Sequence, residues 1–351
     1  MIPVSKHSEE EQNRIPLVSV VIATYNHEAF IRECLDGILM QKTNFNIEIL
    51  VNEDCSTDQT ADILREYEAK HPRLFRIFYQ TENQYSKGVK PWFDILFPIS
   101  RGKYIALCDG DDFWTDDTKL QKQVNFMEAN SDFAICFHRV QIKHIEDSSK
   151  NYLSREEPLV TTELDLALIN YIYTSSCLFV NNLIKRLPKS IYISPAGDYF
   201  LHMLNAKFGK IRFLNEVMAV YRIHNGGSWG SKPSIIQEIN WIKTQNLVST
   251  EVSRETKLVI KDVLKEKLNN LGYLYHSETI EDKEIFERML DSVMLNYLSL
   301  WKDFKMSKDK LEKQRLENNV LKNQIERDFK KPLRAFLRSI YYKIIGKKMF
   351  R

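Results

Sequence analysis

The stretch Gly102-Lys-Tyr-Ile-Ala-Leu-Cys-Asp-Gly-Asp-Asp-Phe-Trp114 is the part of the sequence from which the rest is interpreted. Its apolar segment, residues 104–108, predicts a short buried strand. The carboxylates of Asp109, Asp111 and Asp112 follow that strand at once. Carboxylates this close repel one another, and a divalent cation such as Mg²⁺ or Mn²⁺ would remove the repulsion. The stretch therefore predicts a site for a metal ion or a sugar hydroxyl, with a solvated acidic turn as the alternative.

The spacing of the acidic residues indicates that two of them share one face of the chain. Asp109 and Asp111 are two residues apart, so in an extended chain both side chains point to the same face. Gly110 between them has no side chain, so a ligand can approach the backbone there. Both features favour a binding site.

Strands alternate with helices along the first half of the chain. Polar loops at residues 24–27, 52–58 and 109–112 each follow a predicted strand. The alternation predicts a parallel, doubly wound sheet, in which ligands bind beyond the carboxyl ends of the strands. We therefore expect the three loops to converge. The other predicted elements are strands at 17–23, 47–51 and 74–79, and helices from Glu28, after the capping-box pair Ser56 and Gln59, and around 92–97.

The second half of the sequence changes character. Apolar runs at 133–140, 173–180 and 217–224 predict further strands, and a helix begins near Pro195. From about Ser234 the chain is charged and helical, with heptad-spaced residues at 304–325 whose partner positions are polar. We predict four segments: a lead-in at 1–15, an α/β domain at 16–232, a helical extension at 233–329 and a tail helix at 330–351.

The composition excludes several classes of protein. Of the 351 residues, 43% are apolar and 11% aromatic, enough for a large core. The net charge of +3 predicts no nucleic-acid partner. The five cysteines form no Cys-x-x-Cys pair, so we expect no disulfide framework, no zinc site and a reducing cytoplasm. The N-terminal residues contain no apolar core of signal-peptide length, and no apolar run in the sequence approaches the length of a membrane span.

The order of the motifs over residues 17–229 resembles that of a family 2 glycosyltransferase of the GT-A fold. This resemblance implies a Rossmann-like, mostly parallel sheet flanked by helices. The chain departs from the family pattern at Glu53 and Cys55, which replace an acid and a glycine, and at Gly197, which replaces an acid. The matching motifs are Val18-Ser-Val-Val-Ile-Ala-Thr-Tyr-Asn26, Asn52-Glu-Asp-Cys-Ser-Thr-Asp58, Asp109-Gly-Asp-Asp-Phe-Trp114 followed by Lys119-Leu120, Gly197-Asp198, and Tyr221-Arg-Ile-His224.

The resemblance assigns the first two motifs to the nucleotide of a sugar donor. It implies that Thr24, Tyr25, Asn26 and Asp54 contact the base and ribose. An ionised carboxylate accepts a strong hydrogen bond from the N–H of uracil, which suits Asp54. The alternative for Asp54 is an acid that precedes a helix and is favoured by the helix dipole.

The resemblance assigns the acidic turn to the donor sugar and its diphosphate. It implies that Asp109 faces the ribose or sugar, and that Asp111 holds Mn²⁺ or Mg²⁺ at the diphosphate, with His224 completing the metal shell or touching the diphosphate. Asp112 either joins this site or only fixes the loop. Trp229, in a glycine-rich loop, either closes over the donor or packs on the surface. A structural histidine at the end of a strand is the alternative for His224.

Asp198 is the candidate general base. Transfer with inversion needs one carboxylate to take the proton from the acceptor hydroxyl as that oxygen attacks the anomeric carbon. The alternative is that Asp198 caps the N-terminus of a helix, a position that Asp favours.

The C-terminal tail carries a separate signal. Its apolar residues recur at helical spacing, and no acidic residue follows Asp328. A basic amphipathic helix of this kind fits an anionic membrane surface, and a helix docked on the protein itself is the alternative. The apolar residues are Leu333, Phe336, Leu337, Ile340, Tyr341, Ile344 and Ile345; the basic ones are Lys330, Lys331, Arg334, Arg338, Lys343, Lys347, Lys348 and Arg351.

Together these features predict an inverting, metal-dependent glycosyltransferase. Its expected partners are a nucleoside diphosphate sugar, a glycan or lipid-linked glycan acceptor and, through the tail, the inner face of a bacterial cell membrane. A nucleotidyltransferase is one alternative, but it would need a glycine-rich triphosphate loop, and residues 24–27 contain no glycine. An inactive glycan-binding module is the other, and it would bind donor or glycan without consuming donor.

Overall fold

The computed structural model describes residues 15–181, 186–227, 229–230 and 232–277. Its strands are β1 (Val18–Thr24), β2 (Ile47–Glu53), β3 (Phe75–Tyr79), β4 (Tyr104–Leu107), β5 (Phe113–Trp114), β6 (Phe133–His144), β7 (Tyr152–Leu153), β8 (Val160–Thr161), β9 (Leu178–Val180) and β10 (Lys210–Ile223). Its helices are α1 (Ile31–Leu39), α2 (Thr60–Lys70), α3 (Lys119–Ala129), α4 (Glu163–Leu168), α5 (Lys189–Tyr192), α6 (Gly197–Ala206), α7 (Ser234–Val248) and α8 (Arg254–Ser277), and a π-helical turn spans Pro91–Leu96.

Eight of the described strands form one mixed sheet in the order β3-β2-β1-β4-β9-β6-β10-β5, and the short strands β7 and β8 pair with β6 and β10. The first four strands in this order are parallel, as are β6 and β10, whereas β9 is antiparallel to both β4 and β6. The parallel half has helices in its crossover connections, as such pairing requires. The predicted α/β architecture is therefore confirmed.

The core lies where the parallel strands meet the helices. The side chains of β1 and β4 are almost entirely buried, because both faces of a parallel sheet are covered. Helix α1 approaches the sheet closely at Gly37, where an added Cβ would lie 2.6 Å from the carbonyl oxygen of Trp114. Glycine at this position thus lets α1 pack directly against β5.

A charged residue is enclosed in this core. Lys119 is fully buried, its Nζ donates to Gln123 Oε1 at 2.8 Å, and it lies 4.0 Å from the ring centroid of Trp114. Burial lowers the pKa of Lys119 to about 8. Gln123 in turn donates to the carbonyl oxygens of Cys136 and Ser176, and so joins α3 to β6 and to the turn that precedes β9.

Two local predictions were wrong. The run 173–180 forms a strand only at Leu178–Val180, because Thr174–Ser176 makes a 3₁₀ turn whose Ser176 N–H donates to Tyr173 O. Ser56 does not cap α2, which begins at Thr60. The hydroxyl of Ser56 instead accepts from the backbone N–H of Asn26, so a contact between loops replaces the local cap.

The described residues divide into two compact units, one of residues 15–232 and 247–259 and the other of 233–246 and 260–277. Within the second, Lys267 Nζ lies 3.3 Å from Glu238 Oε2. Among the described helices none is long and apolar enough to cross a lipid bilayer. The heptad pattern at 304–325, the tail at 330–351 and most of the lead-in lie outside the described residues, so the four predicted segments stay predictions.

Candidate active site

Three loops converge at the carboxyl ends of adjacent strands, as the strand order requires. The backbone N–H of Asp54, just after β2, donates to Thr24 O at 3.0 Å, and the N–H of Gly110, just after β4, donates to Ala23 O at 3.1 Å. Both neighbouring loops are thus joined to the end of β1. The predicted convergence is confirmed.

Asn26 locks the first loop onto the second. Its φ of 54° is left-handed, a conformation that asparagine adopts more readily than most residues. Its backbone N–H donates to Ser56 Oγ at 3.0 Å, and its Oδ1 accepts from the backbone N–H of Thr57 at 2.8 Å. Cys55, at the position where the family has glycine, is also left-handed, with a φ of 61°. Cys55 thus adopts a backbone conformation that glycine reaches without strain.

The side chain of Asp54, in the loop that follows β2, is buried. It is only 3% exposed, and its two carboxylate oxygens accept from the backbone N–H groups of Gln84 and Tyr85 at 2.9 and 3.0 Å. It therefore fixes the loop that follows β3, and its contact with the base stays a prediction. Tyr25 and Tyr85 present more exposed rings nearby, at 42% and 56%.

The acidic turn contains two accessible carboxylates and one buried one. Asp109 and Asp111 are partly exposed, whereas Asp112 is 1% exposed and accepts from the backbone N–H of Arg222 at 2.8 Å. Asp112 therefore fixes the turn. Burial raises the pKa of Asp109, and so do the charges of Asp111, Asp112 and Asp198.

Arg222 connects the acidic turn to the rest of the site. Its Nη1 donates to the backbone carbonyl of Asp111 at 2.7 Å, and its Nη2 pairs with Glu33 on α1. The guanidinium lies 4.3 Å from the ring centroid of Phe113 and 5.1 Å from that of Phe30. The Arg222 side chain is almost fully buried, so it supports the acidic turn from the protein interior.

Asp111 lies between two imidazoles. Its Oδ2 is 3.1 Å from His224 Nε2 and 3.9 Å from His27 Nε2, and the three ligand atoms lie within 4.8 Å of one another. Burial alone would raise the pKa of Asp111, but the hydrogen bond with His224 and the charge of His27 lower it. Burial lowers the pKa of His27 and so favours its neutral form, the form that binds metals. The donor set therefore fits a divalent cation.

Asp111 and His224 were predicted to share a site, whereas no role was predicted for His27. His27 is the last residue of the first polar loop, which follows β1. Its role could have been inferred only from the fact that β1 pairs with β4, the strand that precedes Asp111. Tyr221, which belongs to the last of the matching motifs, also had no predicted role. Burial raises its pKa, as do the charges of the acidic turn and of Asp198.

Asp198 lies in the first turn of α6, and the N-cap of that helix is Ala196. The alternative in which Asp198 is the cap is therefore wrong. Burial raises the pKa of Asp198, opposed by the backbone N–H groups of Tyr199 and Asp198 and by the side chain of Thr174. A Cβ added to Gly197, the residue before Asp198, would lie 3.4 Å from the Phe93 ring, which is an ordinary van der Waals contact, so the packing does not require glycine there.

Trp229 lies in the loop that follows β10. Its indole is partly exposed, and Lys232 Nζ lies 6.0 Å from the ring centroid. Closure of this residue over a donor stays a prediction, as do the roles of Thr24, Tyr25 and Asn26 in holding the nucleotide.

Comparison with curated proteins identifies relatives that align with about three fifths or more of the chain. An uncharacterised protein of Mycobacterium tuberculosis (strain H37Rv) is 38% identical over 218 residues, which are 61% of each chain, so this chain spans about three fifths of that relative. The Escherichia coli enzyme named UDP-Glc:alpha-D-GlcNAc-diphosphoundecaprenol beta-1,3-glucosyltransferase WfaP is 30% identical over 239 residues, 65% of this chain and 86% of the enzyme.

Solved structures and a family model agree with these relatives. The mannosyltransferase PcManGT of Pyrobaculum calidifontis, solved with GDP-Man and Mn²⁺, is 17% identical and superposes with a TM-score of 0.51 over 82% of this chain and 83% of its own. At that identity the likeness shows the fold. The family model described as glycosyl transferase family 2 matches residues 19–185. The chain therefore belongs to glycosyltransferase family 2 and has the GT-A fold.

Proposed function

We propose that this chain is an inverting, metal-dependent glycosyltransferase that moves a hexose from a uridine diphosphate sugar to a hydroxyl group of a glycan or lipid-linked glycan. The observation that carries the proposal is the pairing of Asp111 with His224 after the ends of β4 and β10, where Asp111 Oδ2 lies 3.1 Å from His224 Nε2. Burial raises the pKa of Asp109, and the charges of Asp111 and Asp198 add to this, which supports the assignment of Asp198 to the same site. A base, a donor-facing acid and a cation site are what such a transfer needs.

Asp111 and His224 are the residues that would hold Mn²⁺ or Mg²⁺. When bound there, the ion supplies positive charge that stabilises the departing nucleoside diphosphate. Arg222 holds the backbone of Asp111, and Asp112 holds the backbone of Arg222, so the carboxylate of Asp111 is oriented before the donor arrives. Preorganisation of this kind lowers the cost of charge development in the transition state.

Asp198 acts as the general base. Its carboxylate accepts the proton of the acceptor hydroxyl while the oxygen attacks the anomeric carbon and the bond from that carbon to the diphosphate oxygen breaks. A single displacement of this kind inverts the configuration at the anomeric carbon. Burial raises the pKa of Asp198, which makes it a better proton acceptor than an ordinary aspartate.

Two further observations support the donor and acceptor classes. The name of the WfaP relative specifies a UDP sugar as donor and a sugar on a diphosphate-linked lipid as acceptor. The basic amphipathic tail at 330–351 suits an anionic membrane surface. We therefore place the protein in the cytoplasm, peripherally bound to the inner face of a bacterial cell membrane, in the biosynthesis of cell-surface polysaccharide.

A screen of nucleotide sugars for slow hydrolysis tests the proposal without knowledge of the acceptor. We expect UDP release from one UDP sugar in the presence of Mn²⁺ and none after chelation. An Asp111→Asn variant, which removes one charge at nearly constant size, is the control for a contaminating hydrolase. Donor that binds but is never consumed, with or without candidate glycans, would favour the inactive binding module. Release of pyrophosphate from a nucleoside triphosphate and a sugar phosphate would favour a nucleotidyltransferase.

A further inference from the structure

We infer that His27 is a third metal ligand, and that with Asp111 and His224 it makes a site selective for a first-row transition metal ion such as Mn²⁺ over Mg²⁺. The inference rests on the proposed function, which requires a cation at this place. His27 belongs to the loop after β1, whereas Asp111 and His224 come from the ends of β4 and β10. Three separate segments thus contribute one ligand each.

The separations suit a shared ion. At 3.9 Å, Nε2 of His27 is too far from Asp111 Oδ2 for a hydrogen bond. Ligand atoms placed about 2.1 Å from one ion, at the angles of tetrahedral or octahedral geometry, lie roughly 3–4 Å apart. The Asp111 oxygen is 3.1 and 3.9 Å from the two imidazole nitrogens, and all three atoms lie within 4.8 Å. A small cation between them brings the three atoms into one coordination shell.

His27 is oriented as a ligand. Its Nδ1 lies 3.2 Å from Thr24 Oγ1, a buried hydroxyl at the end of β1. A metal-binding imidazole commonly makes such a hydrogen bond through its second nitrogen, which fixes the tautomer and the ring orientation. With Nδ1 occupied by Thr24, Nε2 is the nitrogen that faces Asp111.

Gly110 leaves the space that this arrangement needs. An added Cβ would lie 2.5 Å from Thr24 Oγ1 and 2.8 Å from His27 Nδ1, closer than carbon approaches either atom. The glycine between the two acids of the turn is therefore a requirement of the Thr24–His27 pair. A larger residue at position 110 would displace Thr24 or the imidazole of His27, so the acidic turn and the Thr24–His27 pair pack as one unit.

The donor set explains the expected selectivity. Mg²⁺ takes oxygen ligands and keeps most of its water. First-row transition metal ions accept imidazole nitrogen more readily, Mn²⁺ least among them, so a second imidazole favours these ions over Mg²⁺. A site with one carboxylate and one imidazole discriminates less between Mn²⁺ and Mg²⁺ than a site with one carboxylate and two imidazoles. We therefore expect His27 to contribute more to Mn²⁺ affinity than to Mg²⁺ affinity.

Electron spin echo envelope modulation of Mn²⁺ bound to the full-length chain tests the inference directly, because it detects imidazole nitrogen coordinated to the ion. We expect modulation from two imidazoles in the wild-type protein and from one in His27→Ala. His71→Ala removes an exposed histidine and is the matched control; it should keep both. A wild-type spectrum with a single coordinated imidazole overturns the inference, and this measurement does not depend on any variant folding.

Titration with Mn²⁺ alone gives the affinities. His27→Ala should weaken Mn²⁺ binding about tenfold or more and lower the ratio of Mn²⁺ to Mg²⁺ affinity, and Thr24→Val should give a smaller loss with both nitrogens still coordinated. Equal Mn²⁺ affinity in His27→Ala and His71→Ala would refute the ligand role. A chain that coordinates two imidazoles but consumes no nucleotide sugar would refute the proposed function and leave the ligand assignment intact.

Discussion

Replacing Arg222 by methionine should loosen the acidic turn while leaving the strand that carries it in place. The backbone N–H of Arg222 would still donate to Asp112, but the side chain would lose its bond to the Asp111 carbonyl and its place against Phe30 and Phe113. Methionine retains much of the apolar bulk. The change therefore isolates what the guanidinium contributes to the site.

The structure sets the size of the effect. A buried hydrogen bond from a charged donor contributes about 1.5–3 kcal/mol, and a desolvated cation–π contact about 0.5–2 kcal/mol. The ion pair with Glu33 adds at most about 1 kcal/mol, because the Glu33 side chain is 62% exposed. We expect Arg222→Met to lower the free energy of unfolding by about 2–5 kcal/mol, or the melting temperature by roughly 5–15 °C.

Arg65→Met is the matched control. Arg65 also pairs with an acid, Asp62, and also lies over an aromatic ring, 5.0 Å from the centroid of Tyr79, but its side chain is 58% exposed. Its loss should cost less than about 1 kcal/mol. Chemical denaturation of both variants gives the two values, and Mn²⁺ titration shows whether Asp111 has moved. If Arg222→Met is as stable as Arg65→Met and binds Mn²⁺ normally, Arg222 does not support the turn.

Three further outcomes are expected. Asp111→Asn should fold normally and lose metal-dependent turnover, because the cation site loses its charge; full activity of the variant, or of the wild type in chelator, contradicts this. Asp198→Asn should lower kcat about 10²–10⁴-fold with donor affinity nearly unchanged. Because burial raises the pKa of Asp198, wild-type kcat should fall on acidification at a pH above the ordinary aspartate range; an unchanged kcat in the variant rules out the base role. Removing residues 330–351 should release the protein from anionic vesicles while donor hydrolysis persists, and equal co-sedimentation of both forms at low and high salt excludes membrane binding by the tail.

The strands that carry the site could be predicted because their signals are local. β1 and β4 are continuous apolar runs, and a polar loop follows each, so their burial and the position of Asp109 could be inferred from the sequence. Once the sheet was taken as parallel, convergence of the loops followed from geometry. The bounds of β10 could not be predicted so well, since its register shifts against β6 reflect pairing between distant segments.

The ligand cluster was only half predictable. Asp111 and His224 belong to motifs with a family resemblance, whereas His27 comes close to them only through the packing of β1 beside β4. The hydroxyl of Ser56 was misassigned for the same reason: its partner, Asn26, is on a different loop. Local patterns such as a capping box predict local partners, and tertiary contacts override them.

The antiparallel strand β9 has a consequence for the synthesis of this protein. It lies between β4 and β6 in the sheet, so the two halves of the sheet cannot join before Leu178–Val180 exist. β9 is translated about 70 residues after β4, a delay of roughly 4–15 s at about 5–20 residues per second. During that interval the apolar edge of β4 has no partner on one side, and an uncovered edge of this kind promotes aggregation. We expect nascent chains stalled between β4 and β9 to depend on chaperones, and chains extended beyond residue 180 to be released from that dependence.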